Sequence, residues 1–263
     1  MRRRFTANEC FTKTFDFSNY LTIEALEDDF IVSFSNDIEY GIDGKGWIKL
    51  KAEYKTQPIN VGQTLSFRGN LSPSDLSGIG AFTIGKKCNL KGNIMSMLYG
   101  DDSKGKNDLS GKTYAFYHLF YNCTTIIDAS KLILPATTLE DYCYCNMFYY
   151  CTSLTSAPEL PAMTLAPYCY SHMFYNCTSL VTAPELHAPI LASNCYGYMF
   201  NGCRSLKSIT MLATNIDARN CLYYWVYGVA STGTFAKYPF MNSLPNGVSG
   251  IPSGWTVGNY QSD

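Results

Sequence analysis

The sequence has little of what most catalytic or nucleic-acid-binding domains are built from. It holds 3 histidines, and none falls in a Ser/His/Asp or Cys/His arrangement that could activate a nucleophile. Charged residues make up only 16%, against about 25% in an average soluble domain. Neither sign is in excess: 20 Lys and Arg face 21 Asp and Glu, leaving a net charge of −1. Without surplus cations there is no footprint for a phosphate backbone, so no nucleic acid is expected as a partner. No apolar run approaches the length of about 18 residues that a membrane-crossing helix needs, so no membrane span is expected. The basic start Met1-Arg2-Arg3-Arg4 is followed by Asn8, Glu9, Lys13 and Asp16, which interrupt any apolar stretch, so it does not read as a secretion signal.

What is abundant is aromatic and sulfur chemistry. There are 21 Tyr, 15 Phe and 11 Cys in 263 residues, a composition that points to a repetitive scaffold. The repeat is explicit. Tyr142-Cys143-Tyr144-Cys145-Asn146-Met147-Phe148 runs to Cys151-Thr152-Ser153-Leu154. Tyr168-Cys169-Tyr170-Ser171-His172-Met173-Phe174 runs to Cys177-Thr178-Ser179-Leu180, and Asn194-Cys195-Tyr196-Gly197-Tyr198-Met199-Phe200 to Cys203-Arg204-Ser205-Leu206. Upstream, Tyr114-Ala115-Phe116-Tyr117-His118-Leu119-Phe120 runs to Cys123-Thr124-Thr125-Ile126, and a degraded unit begins at Asn220-Cys221. Cys151, Cys177 and Cys203 are evenly spaced with a period of 26, and Cys143, Cys169, Cys195 and Cys221 share it. The first unit is slightly longer, since Cys123 precedes Cys151 by 28.

Each unit has two parts. In Cys169-Tyr170-Ser171-His172-Met173-Phe174-Tyr175-Asn176-Cys177, apolar groups recur at i, i+1, i+4, i+5 and i+8, which predicts one face of a short helical turn. The second part, Leu180-Val181-Thr182-Ala183-Pro184-Glu185-Leu186, is expected to be extended, because Pro184, like Pro158, breaks any helix. A further apolar residue, Leu139, Leu165, Leu191 or Ile216, is expected to be buried later in each unit. Such a unit cannot bury its apolar side alone, so the units should stack as a solenoid.

The Met/Leu-Phe-x-x-Cys-x-Ser/Thr-Leu/Ile core, at Leu119 to Ile126, Met147 to Leu154, Met173 to Leu180 and Met199 to Leu206, resembles the leucine-rich repeats of BspA-like proteins. The resemblance covers roughly residues 109–230, and the tail from Gly228 to Phe235 and from Gly250 to Val257 is similar to the end piece of such proteins from Bacteroidales. It implies adhesion or host interaction at a bacterial surface. The surface members of that family carry a signal or lipoprotein start, and none is read here. Ahead of the repeats, strands are expected at Tyr20–Leu26, Phe30–Phe34, Ile38–Tyr40, Trp47–Leu50, Ile59–Val61 and Thr64–Phe67, with glycine turns between them.

The expected fold class is therefore α+β. A small Ig-like β-sandwich at 14–85 should follow an N-terminal extension at 1–13. A leucine-rich-repeat solenoid at 86–230, with one short strand and one helical turn per unit, should end in a C-terminal cap at 231–263.

The candidate chemistry is sparse. Cys143, Cys145 and Cys151 lack the paired spacing of a zinc knuckle and recur with the repeat, so they are expected to be buried free thiols. Eleven cysteines also cannot all pair within one chain. His118 and His172 share a repeat position with Asn146 and Tyr198, which suggests a helix surface. Asp101, Asp102 and Asp108 lack EF-hand spacing and read as a solvated loop. Asn122-Cys123-Thr124 and Asn176-Cys177-Thr178 match a glycosylation pattern as by-products of the repeat. Tyr121, Tyr149, Tyr150 and Tyr175 could offer rings to sugars or a protein, although packing between units accounts for most of them.

One surface remains as a candidate ligand-binding face. It comprises the residues after each buried Leu or Ile, namely Ile127, Asp128, Thr155, Ser156, Val181, Thr182, Lys207 and Ser208, and next along Lys131, Glu159, Glu185 and Met211. The expectation is a non-enzymatic binding or adhesion module without catalytic residues, cofactor or metal. Its partner is a protein or glycan on a cell surface, and it acts outside the cell or at its surface. The alternative is a structural or receptor-binding component of a bacteriophage virion, assembled into a larger complex.

Overall fold

The computed structural model describes residues 17–78, 80–241 and 244–261; the expected extension at 1–13 lies outside them. In chain order the elements are β1 (Leu21–Ala25), β2 (Val32–Phe34), β3 (Ile38–Ile42), β4 (Ile48–Leu50), β5 (Thr64–Arg68), a one-turn helix α1 (Pro73–Leu76), β6 (Phe82–Ile84), β7 (Cys88–Asn93) and a second one-turn helix α2 (Ser96–Tyr99). β8 (Ile126–Ile133), β9 (Ser208–Met211), β10 (Thr234–Lys237) and β11 (Thr256–Asn259) complete the set.

β1 lies inside a six-stranded mixed sheet of order β4-β3-β5-β1-β7-β8. Leu21, Ile23 and Ala25 are fully buried, and so is Thr22, whose hydroxyl lies 2.9 Å from Ser66 Oγ. β1 is antiparallel to both β5 and β7, whereas β7 and β8 run parallel. β2 and β6 form a separate two-stranded sheet that packs through Phe82, 4.7 Å from Phe34 and 5.1 Å from Phe67 between ring centroids. β9, β10 and β11 form a parallel three-stranded sheet. Ile59, expected in a strand, makes only a single bridge to Phe30.

This arrangement overturns the expected fold class. The described structure is 26% strand and 6% helix, with one six-stranded mixed sheet and two small ones, rather than a β-sandwich leading into a strand-plus-helix leucine-rich solenoid. Of the strands expected to build the sandwich, β1, β3, β4 and β5 are hydrogen-bonded side by side in one sheet, which runs on past residue 85 to include β7 and β8, while β2 pairs with β6. β10 and β11, in the segment expected to cap the repeats, add two more parallel strands beside β9, and β11 is exposed along its whole length.

The repeat segments form no helix. Amide groups there alternate between two kinds of partner. Tyr144, Asn146, Phe148 and Tyr150 donate to Cys169, Ser171, Met173 and Tyr175 carbonyls one unit on, at 2.8–3.0 Å. Between them Cys145, Met147, Tyr149 and Cys151 donate three residues back, to Tyr142, Tyr144, Asn146 and Phe148. An α-helix would send every amide four residues back within the segment. The chain turns instead through a left-handed residue at every fourth position: Tyr142, Asn146 and Tyr150 (φ 57°, 57° and 59°), then Tyr168, His172 and Asn176 (58°, 55° and 55°). Asn, His and Gly202 tolerate this region, whereas tyrosine adopts it rarely and has to be held there.

Neighbouring units hold it. Phe82, Phe120, Phe148, Phe174 and Phe200 form one stacked column with successive centroids 5.3, 5.4, 5.6 and 5.7 Å apart. Leu154, Leu180 and Leu206 are fully buried beside it. A second buried column runs Phe116, Tyr144, Tyr170, Tyr196. Single parallel bridges Asp128–Ser156, Ser156–Thr182 and Thr182–Ser208 link β8 to β9 across the units.

Candidate functional sites

The expected binding row follows those bridges. Thr155 N–H donates to the Ile127 carbonyl and Lys207 N–H to that of Val181, both at 2.8 Å. Lys131, Thr155, Glu159, Val181, Thr182 and Lys207 are exposed, while Ile127, Asp128, Ser156 and Ser208 are half-buried. Asp128 accepts from the Ser130 amide at 2.8 Å. Glu185 is also half-buried, with Oε1 enclosed and without a partner and Oε2 3.8 Å from His187 Nε2.

Met211 does not belong to this row, because it is fully buried. A constant period of 26 aligns it with Glu185, but the chain pairs it with Leu186, one position short of that period. The third and fourth units therefore lose one residue of register after Thr182–Ser208. Met211 takes the core position of Leu186, and Thr210 offers its carbonyl to the Leu186 amide.

The turn segments present a second surface. Tyr114, Tyr142 and Tyr168 stack at 4.8 and 4.6 Å, and Tyr121, Tyr149 and Tyr175 at 4.8 and 4.7 Å. Tyr117 and His118 join the first column to the second, while Tyr175 continues through His172 to Tyr198, Tyr223, Tyr224 and Tyr227. The result is an unbroken aromatic face. Tyr114, Tyr150, Tyr223, Tyr224 and Tyr227 are each between 39% and 53% exposed. The residue pattern points to part of this face but places it on a helical turn, and leaves Tyr114, Tyr142, Tyr198 and Tyr223 to Tyr227 outside it. Asn, His, Gly or Tyr recurring every fourth residue was the available signal.

His118 and His172 are part of this face rather than of a helix surface. Burial lowers both to about 4. His118 Nδ1 is enclosed without a partner, and His172 Nδ1 lies 2.9 Å from Ser171 Oγ. Both rings are neutral at ordinary pH.

All ten described cysteines are free and buried. Cys151, Cys177 and Cys203 donate through Sγ to the Phe120, Phe148 and Phe174 carbonyls at 3.2, 3.1 and 3.0 Å. Burial pushes the Cys123, Cys143 and Cys145 thiols up to about 12, so none is a nucleophile near neutrality. Among the described residues no group of three or more His, Cys, Asp and Glu is gathered as a metal site would require.

Asp101 is exposed, as expected of a solvated loop, and is also bonded. Arg68 Nη1 donates to both of its oxygens at 2.6 Å and Tyr20 Oη at 2.8 Å, while Arg68 Nε donates to Glu39 and the guanidinium lies 4.2 Å from the Trp47 ring centroid. A cleft of about 610 Å³ opens beside this cluster, between Lys49, Lys51, Asn70 and Asp102. Arg68 ties Glu39 and Asp101 together, so the cluster is a clasp between β3, β5 and the loop after α2.

Compared with known proteins, the chain matches no family model, no curated protein and no solved structure.

Proposed function

We propose that the protein is a non-enzymatic binding or adhesion module that recognises a protein or glycan on a cell surface. One observation carries this reading. The row Ile127, Thr155, Val181 and Lys207 changes chemistry from unit to unit while the same parallel bridge recurs beside it, at Asp128–Ser156, Ser156–Thr182 and Thr182–Ser208, which is how repeat scaffolds display a recognition surface. Lys131 and Glu159 add opposite charges along the same row. The likeness of the repeat motif to BspA-like sequences supports adhesion as the role. The low reactivity of the buried thiols and the neutral, enclosed histidines support binding over catalysis.

The test is binding of fluorescently labelled full-length protein to intact bacterial and host cells, read by flow cytometry. Saturable binding, lowered by the combined substitutions Lys131→Glu, Glu159→Lys and Lys207→Glu, is expected. Absence of saturable binding to every cell type tried contradicts the proposal.

A further inference from the structure

The tyrosine face differs from the bridged row in three respects. It is uncharged: the turn segments 114–123, 142–151, 168–177, 194–203 and 220–228 contain no Asp, Glu, Lys or Arg. Their histidines gain no charge until about pH 4. It is also without exposed aliphatic side chains, since Leu119, Met147, Met173, Met199, Leu222 and Val226 are all buried. And it is periodic, repeating the same ring over three successive units at 4.6–4.8 Å along each of the two tyrosine columns.

We infer that this face is a binding site for an uncharged, linear polysaccharide lying along the stack of units. The inference rests on the reading of the chain as a binding module, but places the ligand on the turn face rather than on the bridged row. A protein partner would usually pack apolar side chains into a central patch, and this face has no exposed aliphatic groups to receive them; arginine stacked on the rings would instead make binding sensitive to salt. A sugar polymer presents both things the face can use. Its C–H surfaces pack on tyrosine rings, and its hydroxyls meet phenol and asparagine groups. Tyr150, tilted 44° from Tyr149, and Tyr227, tilted 48° from Tyr224, leave ring surface open. A pyranose unit is close in length to the ring spacing of 4.6–4.8 Å, so a polymer of one sugar meets the same groups at each step over the three units of each column.

The experiment is affinity electrophoresis of the full chain in native gels containing laminarin, galactomannan, xyloglucan or dextran, with heparin as the charged comparison. At least one neutral polysaccharide should retard the protein. The retardation should persist at high salt and from about pH 5.5 to 8, where no group on the face titrates. The pair Tyr150→Asn and Tyr224→Asn should weaken it at least about tenfold. Asparagine already occupies the position of Tyr150 in neighbouring units, at Asn122 and Asn176, so the turn is kept. If the pair fails to fold, Tyr227→Ser, at the most exposed ring, replaces it. Retardation by none of the four, or by heparin alone, overturns the inference. Retardation that survives the tyrosine changes but is lost in the Lys131, Glu159 and Lys207 variant also overturns it, while leaving the binding-module reading standing.

Discussion

Leu186 and Met211 face each other as parallel bridge partners although their separation falls one position short of the period at which the chain otherwise repeats. The slipped residue moves Met211 from an apparent surface position into the core, where it is fully buried. Met211→Ala should therefore destabilise the protein by about 2–5 kcal/mol, as large-to-small core changes do. Lys207→Ala, on the exposed row, should stay within about 0.5 kcal/mol. Urea denaturation of the two variants measures both, and near-equal midpoints would place Met211 outside the core.

The stacked phenylalanines make a matching case. Phe174 lies between Phe148 and Phe200 with ring planes 3° from parallel on either side. Truncating it to alanine opens a cavity that rigid columns above and below cannot close, and should cost about 3–5 kcal/mol. Loss of less than about 1 kcal/mol by thermal or urea unfolding would mean that the column can collapse around the gap.

Glycine at the left-handed positions separates backbone strain from crowding. Gly202 (φ 79°) and Gly105 (φ 77°) have nearly the same φ, but a Cβ on Gly202 meets the Asn176 side chain whereas one on Gly105 meets nothing within 4 Å. Gly105→Ala should cost about 1 kcal/mol from conformation alone, and Gly202→Ala clearly more. Equal midpoint shifts would show that Asn176 moves aside freely.

The histidines set an acid limit. Burial lowers His118 and His172 to about 4, below the value of an unfolded chain, so the folded state favours their neutral forms. Stability from this source is complete above about pH 6.5 and is lost as pH falls towards 4. The double change His118→Asn and His172→Asn, which copies Asn146 of the intervening unit, should flatten the melting-temperature profile between those limits. An unchanged profile would assign the acid sensitivity to other groups.

The thiols behave in the opposite sense with pH. Burial raises Cys123, Cys143 and Cys145 to about 12, so their contribution is intact below about pH 8.5 and falls as the pH climbs through the thiol range of the unfolded chain. Native protein should react slowly with a thiol reagent and release its full count only after denaturation. Rapid labelling of Cys177 in the native state would contradict its burial.

Much of this was legible in the residues themselves. The constant repeat period makes Leu154, Leu180 and Leu206 equivalent, and Phe148, Phe174 and Phe200 likewise. Equivalent apolar residues that no single unit can cover must be buried between units. Strand chemistry was equally plain in β1, β3, β4 and β5, where β-branched and aromatic residues lie between glycine turns. The local conformation of the turn segments was not legible, because apolar pairs at i, i+1, i+4 and i+5 suit a helix and a four-residue turn equally well. What separates the two is where the amides of Tyr144, Asn146, Phe148 and Tyr150 go, and their acceptors lie on the next unit, nearly a full repeat away along the chain. Only when that unit is in place do left-handed tyrosines become tolerable, and only their stacking brings Tyr114 to Tyr227 onto one face. The residues determined which groups are buried together. The tertiary structure decided the shape of the chain between them, because hydrogen bonds between units outweigh what any one unit would prefer alone.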